Sequence, residues 1–227
     1  MTQPLRALVF DAFGTLFNVH SVMTTCEALF PGKGRELSQL WRAKQLEYSW
    51  LRSLMGRYVD FNQVTRESLQ FACQSLALPY SDMALAELNQ AYRTLALFDD
   101  TLSTLQQLRR QHPAVKLAIL SNGAAEMLNA VVGYNHLDSM LDAVLSVDEV
   151  GIFKPEPRVY QLACDRLGAA RDRIGFVSSN GWDAAGAKSF GLTTFWINRA
   201  AAPVDALGVT PDRVLNSLAE LPPLLVA

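Results

Sequence analysis

Hydrophobic and polar positions along the chain follow two different patterns. From Asp99 onward, short β-branched runs alternate with stretches of helical period, and a further apolar run lies at residues 5–10. Apolar strands separated by helices of this length are typical of a parallel sheet with helices on both faces. The predicted strands are residues 5–10, 115–120, 143–147, 174–178, 193–198 and 213–215, and the predicted helices are residues 101–111, 124–132, 157–167 and 183–190.

Residues 18–97 have a helical pattern throughout, with segments near 21–30, 34–54, 62–78 and 81–96 separated by glycine and proline. In α/β sheets the functional site lies outside the carboxyl ends of the strands. A helical block that leaves the first strand there is expected to cover the site as a cap. The predicted fold class is therefore α/β, with a Rossmann-like doubly wound parallel sheet core (1–17 and 98–227) and a helical cap (18–97).

Composition narrows the choice of partners and compartment. The 227 residues are 50% apolar and 19% charged, with a net charge of −2, which gives no reason to expect nucleic acid or an anionic membrane surface as a partner. No apolar run reaches the roughly 18–20 residues that span a bilayer. The cysteines, Cys26, Cys73 and Cys164, lack metal-site spacing and resemble small buried hydrophobes. We expect a cytoplasmic protein, since no targeting segment is apparent.

Polar residues follow four of the predicted strands where each strand ends. They are Asp11–Thr15, Ser121–Gly123, Lys154 with Pro155, and the loop Ser178–Asp183. Taken singly, these segments have ordinary interpretations as an Asx turn, a helix N-cap, a solvated lysine and a capping loop. Because the carboxyl ends of parallel strands meet at one edge of the sheet, their joint occurrence predicts an active site there.

The four segments also resemble a known family. The sequences FDAFGTL (10–16), LSNG (120–123), FKP (153–155) and SSNGWD (178–183) are similar to the four ordered motifs of the haloacid dehalogenase superfamily. The resemblance covers the whole chain, including the helical insertion after the first motif. Within the superfamily, the details look like the L-2-haloacid dehalogenases.

Phe13 is the position that separates dehalogenases from phosphatases in this resemblance. Phosphatases of the superfamily usually carry a second aspartate there, which protonates the departing alkoxide. Phenylalanine has no proton to give, and a halide leaves without one. The fourth motif carries a single acidic residue, Asp183, so we expect that neither a metal ion nor any other cofactor is required.

The resemblance implies hydrolysis of short (S)-2-haloalkanoic acids to (R)-2-hydroxyalkanoic acids and halide. Asp11 would attack the halogen-bearing carbon and form an ester, with inversion at that carbon. Lys154 and Thr15 would keep the Asp11 carboxylate ionised and aimed. Asp183 would then activate water against the ester, and the water would be held by Ser178 and Asn180.

Further residues are expected to bind the substrate. Ser121 precedes a helix N-terminus, a setting that suits a carboxylate, and the resemblance gives it that role. Arg42 heads a helical stripe that continues with Leu46 and Trp50, and it is similar to the family's cap arginine. The remaining expected contacts are Asn122 and Trp182 beside the halide, and an apolar wall of Phe13, Leu46, Phe61 and Trp182. Tyr160 is added because it is similar to a tyrosine of the family, although helical periodicity alone would place it in the core.

Two alternatives stay open at this point: a Mg²⁺-dependent phosphatase acting on small molecules, and a non-catalytic relative that binds a metabolite or a protein. The resemblance also admits a homodimer, and the apolar residues of the helical block are compatible with one. Neither the preferred halogen nor the chain length of the substrate follows from the motifs.

Overall fold

The computed structural model describes residues 4–225 and contains one six-stranded parallel sheet with the strand order β3-β2-β1-β4-β5-β6. The strands are β1 (Ala7–Phe10), β2 (Lys116–Ser121), β3 (Ala143–Ser146), β4 (Ile174–Ser178), β5 (Thr193–Ile197) and β6 (Arg213–Leu215). Each predicted strand is present, with ends shifted by at most two residues. The predicted fold class is confirmed.

Strand β1 lies at the centre of the sheet, because β2 and β4 pair with its two edges. Ala7 is in register with Lys116 on one side and Ile174 on the other. All four residues of β1 are buried, as expected for a strand covered on both faces. Its carboxyl end therefore lies between the carboxyl ends of β2 and β4, where three of the sequence motifs begin.

The helices that follow the strands cover the sheet. They are α5 (Thr101–Gln111), α6 (Ala125–Tyr134), α7 (Pro157–Leu167) and α8 (Gly181–Phe190). Helix α7 begins at a proline, is capped by the Glu156 carboxylate and ends at a left-handed glycine, Gly168. Helix α8 begins two residues before the predicted start, because Asn180 already has the extended backbone of an N-cap.

The inserted segment contains α1 (Val22–Leu29), α2 (Gly34–Leu54), α3 (Phe61–Ser75) and α4 (Asp82–Ala91). The predicted extension of the last helix to residue 96 was wrong, since α4 ends at Ala91 and the chain turns back toward the sheet. The buried residues of α2 include Leu37 and Trp41, whereas Leu51 near its end is exposed.

The insertion leaves and re-enters the core through two adjacent connections. Asn18 donates its backbone N–H to the Ala96 carbonyl at 2.8 Å, and Phe98 donates to Leu16 at 3.1 Å. The division into a core (1–17 and 98–227) and a cap (18–97) remains a proposal. It is supported by these two hydrogen bonds and by the helical content between the two connections. Residues 1–3 and 226–227 of that division lie outside the described residues.

Within residues 4–225, no helix combines the length and apolar character needed to cross a membrane.

Candidate active site

The Asp11 carboxylate lies just beyond the carboxyl end of β1 and is almost completely buried. Its Oδ2 accepts hydrogen bonds from Thr15 Oγ1 at 3.0 Å and from Asn180 Nδ2 at 2.9 Å. Its Oδ1 accepts one from Lys154 Nζ at 3.1 Å. Gly14 has a φ of +93°, which lets the chain turn sharply so that Thr15 faces back onto Asp11. Both oxygens of the carboxylate are therefore fixed by donors from three separate chain segments.

Lys154 joins two carboxylates in the interior of the site. Its Nζ lies 2.9 Å from Asp183 Oδ2 as well as 3.1 Å from Asp11 Oδ1, and the side chain is 1% exposed. Burial alone would lower the pKa of Lys154, but the two carboxylates outweigh it and raise the pKa above the ordinary 10.5. The ammonium therefore stays charged, and it is the buried cation that balances Asp11 and Asp183.

Asp183 is a completely buried carboxylate with altered acidity. Complete burial raises its pKa from 3.8 to about 6, with repulsion from Asp11 adding to the rise and Lys154 opposing it. The Tyr160 hydroxyl donates to Asp183 Oδ1 at 2.8 Å. Burial and the Asp183 charge hold the pKa of Tyr160 well above 10, so the phenol remains a donor. A carboxyl group with a pKa near the operating pH is suited to general base catalysis.

The segment after β2 forms a second wall of the site. Asn122 Oδ1 accepts the backbone N–H of Lys154 at 2.9 Å, which fixes the amide, and its Nδ2 has no partner within residues 4–225. Ser121 Oγ accepts the N–H of Gly123 at 3.1 Å. Ser178 Oγ similarly accepts the N–H of Asn180 at 3.1 Å. These two hydroxyls shape the turns that follow β2 and β4.

Arg42 reaches the site from helix α2. Its guanidinium donates to the Phe13 carbonyl at 3.3 Å, which is also 3.3 Å from Asn180 Nδ2. No carboxylate within residues 4–225 forms an ion pair with Arg42. A half-buried cation without a carboxylate partner, beside a buried nucleophile, is a suitable receptor for an anion.

An aromatic group lies around Phe13. Its ring is stacked on Phe61, with centroids 6.3 Å apart, and meets Tyr92 edge-on at 6.0 Å. A Cβ on Gly123 would lie 2.5 Å from Phe13 Cε2, so the glycine allows this ring to lie against the turn after β2. Two residues of the expected apolar wall, Phe13 and Phe61, are thus in contact, and their role toward a substrate stays a prediction. Leu46 is half-buried on α2, and its place in the wall stays a prediction.

Trp182 meets Trp50 of α2 edge-on, with ring centroids 5.3 Å apart. The indole N–H groups of both residues are buried and have no hydrogen-bond acceptor within the described part of the chain. The pair connects the inserted helices with the fourth motif. Its two N–H groups remain able to donate to an occupant of the site.

Four residues that support this arrangement are absent from the predicted site: Trp50, Tyr92, Ser179 and Arg199. Trp50 belongs to the Arg42 stripe, so helical periodicity could have found it. Tyr92 follows the last residue of α4 and carried no motif signal. Arg199 follows the end of β5, and the comparison of strand ends that found the other segments could have found it too.

Acidic residues are sparse around Asp11. Within the described part of the chain, no group of three or more His, Cys, Asp or Glu side chains is arranged to hold a metal ion. The carboxylates close to each other are Asp11 and Asp183, and Lys154 bonds to both.

Comparisons with known proteins agree with this geometry. Residues 5–191 match the model of the haloacid dehalogenase-like hydrolase family. The chain is 49% identical to an (S)-2-haloacid dehalogenase of Pseudomonas sp. (strain YL), over 94% of this chain and 91% of the relative. The chain therefore belongs to the haloacid dehalogenase-like hydrolases.

Two solved structures are similar over nearly the whole chain. One is an L-2-haloacid dehalogenase with a TM-score of 0.95 and 44% identity, covering 99% of this chain and 100% of that one. The other is the L-2-haloacid dehalogenase from Xanthobacter autotrophicus with chloropropionic acid covalently bound, with a TM-score of 0.90 and 41% identity. It covers 97% of this chain and 98% of its own.

Proposed function

We propose that this protein is an (S)-2-haloacid dehalogenase that hydrolyses short 2-haloalkanoic acids through an ester on Asp11. The observation that carries the proposal is the buried Asp11 carboxylate, held by Thr15, Asn180 and Lys154 beside a phenylalanine rather than a proton donor. The (S)-2-haloacid dehalogenase relatives and the covalent chloropropionic acid complex of a similar enzyme support it.

In the first step, an oxygen of Asp11 attacks carbon 2 of the substrate opposite the halogen. The carbon–halogen bond breaks with its electron pair on the halide, an ester bond forms, and carbon 2 is inverted. The hydrogen bonds from Thr15 and Asn180 fix the direction of the carboxylate, which favours a near-attack geometry. Lys154 donates to the other oxygen of Asp11 at 3.1 Å and places a positive charge beside the nucleophile.

In the second step, water attacks the ester carbonyl carbon. Asp183 accepts a proton from that water, and its pKa of about 6 makes it available as a base near neutral pH. The bond between the carbonyl carbon and the ester oxygen, which Asp11 supplied and which is now attached to carbon 2, then breaks. The proton passes to the leaving oxygen, which gives the (R)-2-hydroxy acid and restores Asp11. Lys154, with Ser178 and Asn180 nearby, stabilises the charge that develops.

Substrate binding is assigned to side chains that lie around the Asp11 carboxylate. Arg42 and Asn122 Nδ2 supply donors for the halide, together with the edge of Trp182. The Ser121 turn before α6 receives the substrate carboxylate. Phe13, Phe61 and Leu46 enclose the carbon chain, and Tyr160 positions Asp183 through its hydroxyl.

Halide release from (S)- and (R)-2-chloropropionate, with and without a chelator, tests the proposal directly. Wild type is expected to release chloride from the (S) form in both conditions, and Asp11→Asn is expected to lose this activity. Absence of halide release from every 2-halo acid would exclude the dehalogenase function. Turnover of an aryl phosphate that requires Mg²⁺ would support the phosphatase instead.

We also propose that the protein is cytoplasmic and forms a homodimer through the last turns of α2. Leu51, Leu54 and Met55 are 43%, 84% and 61% exposed there, which leaves an apolar patch on the surface. Light scattering should give twice the chain mass for wild type and the monomer mass for Leu54→Glu. Met83→Glu, at a residue 79% exposed on α4, is the matched control. The free buried cysteines suit a reducing compartment, and cell fractionation tests this location.

A further inference from the structure

Arg199 lies directly beyond the carboxyl end of β5 and joins parts of the chain that surround the nucleophile. Its Nη1 donates to Ser179 Oγ at 2.7 Å, and its Nη2 donates to the Thr15 carbonyl at 3.2 Å. The same Nη2 lies 2.9 Å from Asp100 Oδ1. The guanidinium also lies over the Phe98 ring, 4.1 Å from its centroid. One side chain thus contacts three separate segments.

Thr15 is hydrogen-bonded to the nucleophile directly, and Ser179 is connected to it through Thr15. The Ser179 N–H donates to Thr15 Oγ1 at 2.8 Å, and Thr15 Oγ1 donates to Asp11 Oδ2 at 3.0 Å. Asn180, the next residue, donates to the same carboxylate oxygen. Arg199 is hydrogen-bonded to the Thr15 loop and to the Ser179–Asn180 loop. It therefore fixes the distance between the two groups that donate to Asp11 Oδ2, the Thr15 hydroxyl and the Asn180 amide.

Asp100 connects this cluster to the point where the inserted helices return to the core. Its Oδ2 accepts hydrogen bonds from Ser217 Oγ at 2.9 Å and from the Leu218 N–H at 2.8 Å. Although burial opposes its charge, the bonds from Arg199, Leu218 and Ser217 lower the pKa of Asp100. Thr15 belongs to the outgoing connection of the insertion, whereas Phe98 and Asp100 belong to the returning one.

The geometry of the guanidinium explains why an arginine is needed. Its planar fork directs several N–H groups along fixed lines and stacks on an aromatic face, whereas a lysine ammonium has a single donor centre. The bond to Asp100 is charge-assisted and therefore among the stronger hydrogen bonds. A lysine here could reach one of the acceptors but could not hold two loops and the returning connection together.

We propose that Arg199 is a positioning residue that aims Asp11 by joining the Thr15 and Ser179–Asn180 loops to the two connections of the helical insertion. The expected effect on halide release rests on the proposed dehalogenase function, whereas the expected effect on the order of the two loops does not. Arg199 acts on Asp11 through Thr15 and the Ser179–Asn180 loop.

The test compares Arg199→Met and Arg199→Lys with a matched arginine, Arg171→Met. Arg171 also lies over an aromatic ring, 3.9 Å from the Phe190 centroid, and donates to a backbone carbonyl, but it lies outside the four motifs. Single-turnover halide release reports the attack by Asp11, and steady-state kinetics report KM. Hydrogen–deuterium exchange of residues 11–18 and 96–100 reports how often the backbone of the two connections opens.

For Arg199→Met we expect halide release to slow by about 10- to 100-fold, with KM changed by less than about 3-fold, because a small misplacement of a nucleophile affects the chemical step. Arg199→Lys should recover part of that loss. Exchange should accelerate in both segments, and Arg171→Met should leave every readout at the wild-type value.

A lower melting temperature for Arg199→Met with an unchanged rate of halide release per folded molecule would overturn the inference, since Arg199 would then only stabilise the fold. If wild type releases no halide, the proposed function fails, and hydrogen exchange of Arg199→Met decides the inference. Unchanged exchange in residues 11–18, or acceleration throughout the chain, overturns it, and acceleration confined to residues 11–18 and 96–100 upholds it.

Discussion

Lys154 Nζ lies 2.9 Å from Asp183 Oδ2, with both side chains excluded from solvent (1% and 0% exposed). A buried ion pair of this kind contributes little net stability when complete, because desolvation offsets the attraction. Loss of one partner is different, since it leaves the other charge buried without compensation. Removal of one partner should therefore make the free energy of unfolding depend on pH.

Replacing Lys154 by Met should destabilise the protein strongly at pH 8 and less at pH 5. At pH 8 two buried carboxylates would lack a cation, which we expect to cost about 3–5 kcal/mol. Without the lowering effect of Lys154, the pKa of Asp183 rises above about 6, so at pH 5 this group is neutral. Urea unfolding at the two pH values measures the difference, and equal losses at both would contradict the prediction. Lys188→Met, which removes the more exposed Lys188–Asp212 pair, should cost less than about 1 kcal/mol.

The rate of ester hydrolysis should increase with pH and reach half its maximum below pH 6. Asp183 must be deprotonated to act as a base, and the ester removes the Asp11 charge that helps to raise the pKa of Asp183 to about 6. Tyr160→Phe removes a hydrogen bond that favours the charged carboxylate, so the pKa of Asp183 should rise. We expect the pH at which ester hydrolysis reaches half its maximal rate to increase by about one unit. Rapid-quench measurement of the second step against pH tests this shift. Tyr134→Phe, at an exposed tyrosine, provides the control.

Replacing Asp183 by Asn should separate the two chemical steps. Asp11 retains Thr15, Asn180 and Lys154 as donors, so it should still displace halide once. Hydrolysis then lacks its base, and the ester should accumulate. The expected result is a burst of one equivalent of halide and an increase in protein mass equal to the bound acid. Sustained turnover by this variant would reject Asp183 as the base, and Asp165→Asn on the surface should behave as wild type.

Gly123→Ala should disturb Phe13 and reduce activity. The added Cβ would lie 2.5 Å from Phe13 Cε2, and the ring is held on its other sides by Phe61 and Tyr92. Overpacking of this kind costs about 1–3 kcal/mol. Truncation of the ring in Gly123→Ala/Phe13→Val should restore much of the stability, which thermal unfolding of the single and double variants would show. A Gly123→Ala protein as stable as wild type would contradict the close contact between the Phe13 ring and this turn.

The sheet and the close approach of the motifs could be predicted from sequence, because both follow from short-range patterns. Apolar runs identify the strands, and parallel pairing brings their carboxyl ends to one edge. That rule places Asp11 near the segments of Lys154 and Asn180, and the hydrogen bonds between these side chains are seen only in the structure. The chemical roles of these residues were assigned by resemblance and remain proposals.

Features that depend on tertiary contacts could not be predicted from the sequence. The residues after Ala91 contain no glycine or proline until Pro113, so nothing local indicated that α4 ends there. The helix ends where Tyr92 packs against Phe13 and where Leu97 pairs with Phe17. The position of Arg199 after β5 could be read from the sequence, but its contacts with a hydroxyl and a backbone carbonyl could not, because such acceptors form no recognisable motif.

The two connections of the insertion run side by side, with Phe17 and Leu97 forming an antiparallel bridge. An insertion whose ends already meet adds little loop-closure entropy, and that entropy grows only slowly with the length of the inserted chain. The helices between residues 18 and 97 can therefore be lengthened, shortened or exchanged between relatives without altering the sheet. Evolution and protein engineering can therefore change the helices that cover the site while the residues at the strand ends keep their positions.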